Sequence, residues 1–97
     1  MNDKFFGKYR ATVTANRDPE QMGRIRVQVP AVPGNGESPW ALPCVFPGTS
    51  KKLGSALPQV GTGVWVEFEQ GDLSHPIWTG PFYGSTSETP PSLRNPP

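Results

Sequence analysis

The clearest pattern along this chain is an alternation of apolar and polar side chains, first seen over residues 8–16. Its apolar positions are Tyr9, Ala11, Val13 and Ala15. A period of two is what a half-buried β-strand requires, so a strand is predicted here. The alternation returns over residues 24–29, with Ile25, Val27 and Val29 inward. Asp18-Pro19 between them predicts a turn, because proline presets φ and aspartate caps turns. Gly23 after the turn is expected where φ is positive or two backbones come close. The two strands therefore form a predicted hairpin.

Three further strands are predicted, over residues 40–46, 63–69 and 76–83. Pro43 implies an edge position or a bulge for the first of them, because proline has no N–H to donate to a sheet. The alternation in the second places Val64, Val66 and Phe68 in the core and Trp65 on the outside. Residues 30–39 and 47–58 are predicted to be long loops.

Five strands joined by two long loops predict an all-β domain over residues 1–84. Its expected form is a small five-stranded antiparallel barrel of the oligonucleotide/oligosaccharide-binding (OB) fold, because closure removes exposed sheet edges. An SH3-like barrel or a small open sandwich is also compatible with the pattern. Residues 85–97 are polar and rich in proline, which predicts a disordered or extended tail.

Composition supports this reading and limits the function. The 97 residues include 13 Pro and 11 Gly, which disfavours long helices, and the length suits one domain. A net charge of +1 argues against strong general affinity for a polyanion. The single cysteine, Cys44, excludes an internal disulfide and is expected to be buried in its apolar stretch. No segment approaches transmembrane length, so we expect a soluble protein that does not itself insert into a membrane.

Catalytic and ligand-binding signals are weak. His75 has Asp72 and Ser74 close by in sequence, but adjacency within one turn does not establish the geometry of a catalytic triad. One histidine and one cysteine do not make a metal site. The glycines are not followed by a helix, so they do not predict a phosphate-binding loop. We therefore predict no catalytic residues, no metal and no cofactor.

Arg24 and Arg26 occupy the outer face of the second strand, where three roles are open. They can contact phosphates, form solvated or cross-strand charge pairs, or join one subunit to another. No aromatic residue lies on the same outer face, and OB domains that bind nucleic acid add aromatic stacking platforms to their basic residues. No nucleic-acid partner is therefore expected. In an OB barrel the first strand pairs with the fourth, which predicts that Lys8 and Arg10 lie across from Glu67 and Glu69.

Trp65 is the strongest candidate for a protein interface. A large aromatic side chain on an outer face suggests cover by a partner, and tryptophan is enriched in binding hot spots. The alternative is a small cluster closed beneath a loop of the same chain. Trp40 and Trp78 are expected in the core. Lys51 and Lys52 lie on the loop over residues 47–58, where a solvated role and contact with a partner are both open.

Four motifs in order carry a family resemblance over roughly residues 6–84. They are DPEQMGRIRV, PW, PQVGTGVWVEFEQGD and PIWTG. Together they resemble the OB-fold domain of contractile-tail spike proteins, which include the phage baseplate assembly protein V type and the valine–glycine-repeat spikes of type VI secretion. Each motif alone is weak, and their order and spacing make the combination specific.

The resemblance implies a non-enzymatic structural adaptor in a phage tail baseplate or a phage-tail-like particle. It implies a homotrimer on the tail axis between a hub protein and a spike or tip protein. Larger members add hub domains, a β-helix or a lysozyme domain, so this chain is expected to be a minimal, separately encoded OB module. The alternatives are a single-stranded nucleic-acid or oligosaccharide binder, and an adaptor that loads an effector into the same particle.

Overall fold

The computed structural model describes residues 3–34, 36–45 and 57–94. Within these ranges the chain forms a curled mixed sheet with the order β2-β1-β4-β5-β3. The strands are β1 (Tyr9–Ala15), β2 (Arg26–Gln28), β3 (Leu42–Pro43), β4 (Gly63–Phe68) and β5 (Pro76–Pro81). Each lies inside a segment predicted from the alternation of apolar residues, and each is shorter than predicted. The all-β class is confirmed.

The prediction that the sheet is antiparallel throughout was wrong for one pair of strands. β3 runs parallel to β5, with Leu42 opposite Ile77 and Pro43 opposite Trp78. The pairs β1–β2, β1–β4 and β4–β5 are antiparallel. Five is an odd number, so strands arranged in a ring cannot alternate in direction all the way round. A ring of five strands therefore contains a parallel pair.

The sheet curls until its two edges meet beside β2 and β3. Ile25 donates its N–H to the carbonyl of Ala41 at 3.2 Å, and Ala41 returns a hydrogen bond of 2.7 Å. One step further, Ser38 covers the edge of β2. Its N–H donates to the carbonyl of Val27 at 2.7 Å, and its hydroxyl accepts the N–H of Val27 at 3.1 Å. These contacts satisfy backbone groups on an edge that would otherwise be open to pairing.

Apolar residues of the strands fill the inside of the curled sheet. The buried set is Ala11, Val13, Ile25, Val27, Val29, Ala41, Val64, Val66, Phe68 and Trp78. It contains the inward-facing side chains that the alternation in β4 predicts. Trp78 is in the core, as expected from the sequence, and its indole N–H donates to the carbonyl of Gly23 at 3.0 Å.

Two smaller expectations are corrected. Cys44 is exposed, because it lies beyond the end of β3 at the margin of the sheet. The described part of the tail is not extended: it contains a 3-10 turn (Thr86–Glu88) and one helical turn, α1 (Pro91–Arg94). Polar groups hold this local fold, since Arg94 donates to the carbonyl of Thr89 at 2.7 Å and Glu88 accepts the N–H of Gly84 at 2.5 Å.

Candidate protein-interaction surfaces

The carboxylate of Asp18 organises the turn between β1 and β2. It accepts the backbone N–H groups of Glu20, Met22 and Arg24 at 2.8, 2.9 and 3.2 Å. It also binds the Arg24 guanidinium at two points, Nε to Oδ2 at 2.9 Å and Nη2 to Oδ1 at 2.7 Å. Only 3% of the Asp18 side chain is exposed. The Arg24 guanidinium, followed by the backbone N–H donors, holds the pKa of Asp18 well below its usual range.

This turn also depends on backbone conformations that few residues adopt. Gly23 has φ +76° and Gln21 has φ +55°. The sequence predicts a special conformation at Gly23, and the structure confirms it. The Gly23 carbonyl receives the indole N–H of Trp78, which ties the turn to the core. The geometry of the DPEQMGR motif is thus explained by one carboxylate, one glycine and one arginine acting together.

Trp40 lies against both arginines of the second strand. Its ring centroid is 4.9 Å from Arg26 Cζ and 5.7 Å from Arg24 Cζ. Arg26 also reaches Glu37, with Nη1 3.4 Å from Oε1. We call Asp18, Arg24, Trp40, Arg26 and Glu37 the paired cluster, because each arginine has a carboxylate partner. Cation–π contact and ion pairing thus occupy both arginines within the chain.

The expectation that Trp40 lies in the core was wrong. Trp40 is half-buried on the surface and lies outside the apolar core. It brings an aromatic ring beside Arg24 and Arg26, whose own strand has no aromatic residue on its outer face. The ring comes from the segment before β3, and the meeting of β2 and β3 at the Ile25–Ala41 bridge brings it beside Arg26. Alternation within one strand carries no information about such a neighbour.

A second arginine–tryptophan group lies across β1, β4 and the end of β5. Arg10 Cζ is 5.5 Å from the ring centroid of Trp65 and 5.0 Å from that of Phe82. The two rings are 5.0 Å apart at 45°. We call Arg10, Trp65 and Phe82 the open cluster, because within the described ranges no carboxylate lies in ion-pair range of Arg10.

Trp65 points away from the core, as its position in β4 predicts, and is half-buried by its neighbours. Arg10 lies opposite Trp65 in the β1–β4 register, so the expectation that Arg10 lies across from Glu67 or Glu69 was wrong. The companion expectation holds, since Lys8 Nζ is 3.8 Å from Glu67 Oε1. The role of Trp65 as an interface residue stays a prediction.

A surface depression of about 590 Å³ adjoins the open cluster. Its lining includes Val60, Pro81, Phe82, Tyr83 and the acidic Glu88. Val60 is 60% exposed and Tyr83 is 56% exposed. The Phe82 ring lies directly over Gly63, where a Cβ would come within 2.6 Å of Phe82 Cζ. Sequence reasoning missed Val60, Phe82 and Tyr83, because they come from two separate segments.

The remaining candidates give no site. Lys51 and Lys52 lie outside the described residues. His75 is exposed, with Nδ1 3.2 Å from Asp72 Oδ2, and the N–H of Ser74 bonds the same carboxylate at 2.9 Å. The Ser74 N–H, and then His75, lower the pKa of Asp72. Across residues 3–34, 36–45 and 57–94, no group of three or more His, Cys, Asp and Glu side chains is placed to hold a metal.

No helix in the described part of the chain has the length and apolar character needed to cross a membrane. No curated protein matches the chain in sequence. The sequence model of one family, the type VI secretion system/phage-baseplate injector OB domain, matches residues 9–83. The match covers all five strands, the paired cluster and the open cluster. The members of this family are structural baseplate domains, and the family is not a known enzyme family. The chain therefore belongs to the family of type VI secretion and phage-baseplate injector OB domains.

Proposed function

We propose that this chain is a non-enzymatic structural adaptor of a contractile injection apparatus, in a phage tail baseplate or a phage-tail-like particle. Three copies surround the tail axis, contact the hub at one end and the spike or tip at the other, and transmit the force of contraction. The observation that carries the proposal is the family match over residues 9–83, which spans every strand of the sheet.

The packing of the domain supports a mechanical role. The turn between β1 and β2 is held by five hydrogen bonds to a single carboxylate, and the sheet edges are joined by Ile25, Ala41 and Ser38. An element that transmits force must resist local opening, and backbone groups satisfied by buried partners open least readily. The paired cluster therefore adds contacts on the side of the sheet where β2 meets the segment before β3.

The five interface candidates from the sequence are not equivalent. Arg24 and Arg26 are engaged within the paired cluster, so we assign them to the stability of the domain. Trp65 is the better interface candidate, because the Arg10 guanidinium in its cluster has no carboxylate partner among the residues that the structure describes, and the cluster adjoins exposed apolar side chains. Lys51 and Lys52 remain candidates on sequence grounds alone.

One observation favours the alternative of a nucleic-acid or oligosaccharide binder. A depression of about 420 Å³ lies beside Trp40, lined also by Arg17 and Arg26. Base stacking needs an accessible aromatic face. In this structure Arg24 and Arg26 lie against the Trp40 ring, and each is paired with a carboxylate. We therefore favour the adaptor over the binder.

The test is co-expression of the chain with the hub-like and tip-like proteins encoded beside its gene, followed by size exclusion with light scattering. We expect a complex that contains three copies of this chain. Trp65→Ala is expected to weaken that complex, and Trp40→Ala serves as the matched control, since it removes the same side chain from the paired cluster. Thermal melts of each variant confirm that it is folded.

The opposite result is equally defined. If the chain binds neither neighbour, and is retained on single-stranded DNA in a manner that weakens as salt rises, the adaptor proposal is wrong and the binder is supported.

A further inference from the structure

Lys8, immediately before β1, and Arg10, within β1, differ in their surroundings. Lys8 lies 3.8 Å from Glu67, whereas Arg10, two residues on, has no acidic partner in the described ranges. Its guanidinium lies over the rings of Trp65 and Phe82. A guanidinium over an aromatic face keeps its edge N–H groups available to an acceptor. The open cluster therefore presents a positive charge above an apolar base.

The apolar base continues into the depression of about 590 Å³. Phe82 belongs to both features, since it touches Trp65 on one side and lines the depression on the other. Val60 and Tyr83 project at its margin with most of their surface exposed. A matching ligand carries a carboxylate for Arg10 and an apolar side chain for the depression.

The same chain displays such a pair of side chains at the turn between β1 and β2. Glu20 is exposed, and Met22 is 51% exposed. The backbone N–H groups of both residues are bound to the buried Asp18 carboxylate. The backbone that carries the acid and the thioether is therefore held in place, and a segment with a preordered backbone loses less entropy on binding.

We propose that the Glu20–Met22 turn of one copy docks on the open cluster of the next copy. Glu20 pairs with Arg10 of the neighbour, and Met22 enters the depression beside Phe82 and Tyr83. The two surfaces are different, so the contact is heterologous, and a heterologous contact closes into a ring when the rotation between copies allows it. This assignment rests on the proposed trimer and identifies the residues that build it.

Charge reversal tests the pairing. In the co-expressed complex with the hub-like and tip-like proteins, Arg10→Glu and Glu20→Arg each place like charges opposite one another. Each is expected to raise the apparent dissociation constant of the trimer at least about tenfold. The double variant restores the attraction and is expected to return within about threefold of the wild type. Restoration by the double variant would not arise from a purely structural role of either residue.

The controls separate docking from folding. Lys8→Glu reverses the same charge immediately before the same strand, outside the open cluster, and is expected to leave the trimer intact. Thermal melts of the isolated variants check that each one folds. Retention of three copies by both single variants overturns the proposal, as does failure of the double variant to recover.

A cross-link locates the contact directly in the isolated chain at high concentration. In a Cys44→Ser background, Met22→Cys and Tyr83→Cys are combined and oxidised. We expect covalent oligomers larger than a dimer, since every copy offers one cysteine of each kind to a different neighbour. Either cysteine variant alone forms at most a dimer.

The outcomes distinguish the two proposals. A complex with three copies whose Tyr83→Cys variant cross-links to the hub or tip keeps the adaptor and overturns this contact. If the chain binds neither hub nor tip but still forms the larger covalent oligomers, the adaptor proposal is wrong and the proposed contact between copies is supported. Absence of both the complex and the oligomers overturns both.

Discussion

Two groups on this small domain place arginine against tryptophan, and they differ in what balances the charge. In the paired cluster, Arg24 has Asp18 and Arg26 has Glu37. In the open cluster, Arg10 rests on Trp65 and Phe82 with no acidic partner among the residues that the structure describes. Both clusters combine arginine with tryptophan, so the residue types alone do not distinguish them. The position of a carboxylate separates a group that holds the fold from one that remains available to a partner.

The two clusters are also expected to affect different properties, namely the stability of the isolated domain and its assembly with other subunits. The paired cluster ties the β1–β2 turn, β2 and the segment before β3 together, so its loss should appear in the stability of the isolated domain. The open cluster lies on the outer face of β1 and β4, where substitutions should appear mainly in assembly. Each of the following experiments perturbs one side of this comparison.

Asp18→Ala should have the largest effect on stability. It removes the acceptor of three backbone N–H groups and the partner of Arg24 at once. We expect the melting temperature to fall by on the order of 10 °C, since the donors left behind are partly shielded from water. Asp72→Ala is the matched control, because its carboxylate also caps a turn but is 49% exposed. Equal shifts in the two variants would contradict the special role of the paired cluster.

Acid should destabilise the domain through the same carboxylate. The pKa of folded Asp18 lies below its ordinary value of 3.8, so the unfolded chain takes up a proton first as the pH falls. The stabilisation is complete above that ordinary value and is lost as the pH falls toward the folded pKa. Urea melts between about pH 5 and pH 2.5 should show this loss. Asp18→Asn should flatten the slope, and an unchanged slope would assign the acid sensitivity to other groups.

Gly63→Ala should disturb the open cluster while leaving its charge in place. The added Cβ would meet Phe82 Cζ at 2.6 Å, so the ring must shift from its place beside Trp65. We expect a loss of about 1 kcal/mol in unfolding free energy and a change in near-ultraviolet circular dichroism. Gly36→Ala is the control, because a Cβ there meets nothing within 4 Å. An unchanged spectrum in Gly63→Ala would show that the ring packing is looser than described.

Lys8→Gln should have the smallest effect. The ion pair with Glu67 is long at 3.8 Å, and both side chains are exposed. We expect a change in unfolding free energy below about 0.5 kcal/mol, which salt should reduce further. A larger loss, measured by urea denaturation, would show that charge on the outer face of β1 matters to folding, and would weaken the division between the two clusters.

Much of the fold was predictable because local pattern and burial agree. The alternation at Val64, Val66 and Phe68 identifies the inner face of β4. The Asp18-Pro19 pair marks the turn, and Gly23 marks the position with positive φ. These features depend on a few consecutive residues, whose conformational preferences and alternating burial are properties of the local chain.

The candidate site was less predictable, because its contacts join residues far apart in sequence. The outward position of Trp65 was predicted from the alternation in β4. Phe82 and Tyr83 were not predicted as its neighbours, because the sequence of β4 does not show which distant side chain covers Gly63. Arg24 is an interface candidate from the sequence, and only the structure shows its pairing with Asp18. The alternation within a strand predicts which face of the sheet a side chain occupies, but it does not predict which residues of other strands contact it.

The amino-acid sequence by itself determined the all-β class, the five strand segments and the family to which the chain belongs. Tertiary structure alone decided the parallel pairing of β3 with β5, the exposure of Cys44 and the place of Trp40 beside two arginines. The physical reason is the length of the elements concerned. A two-residue strand such as Leu42–Pro43 has too few side chains to encode its own register or direction. Its direction follows from closure of the sheet around the core.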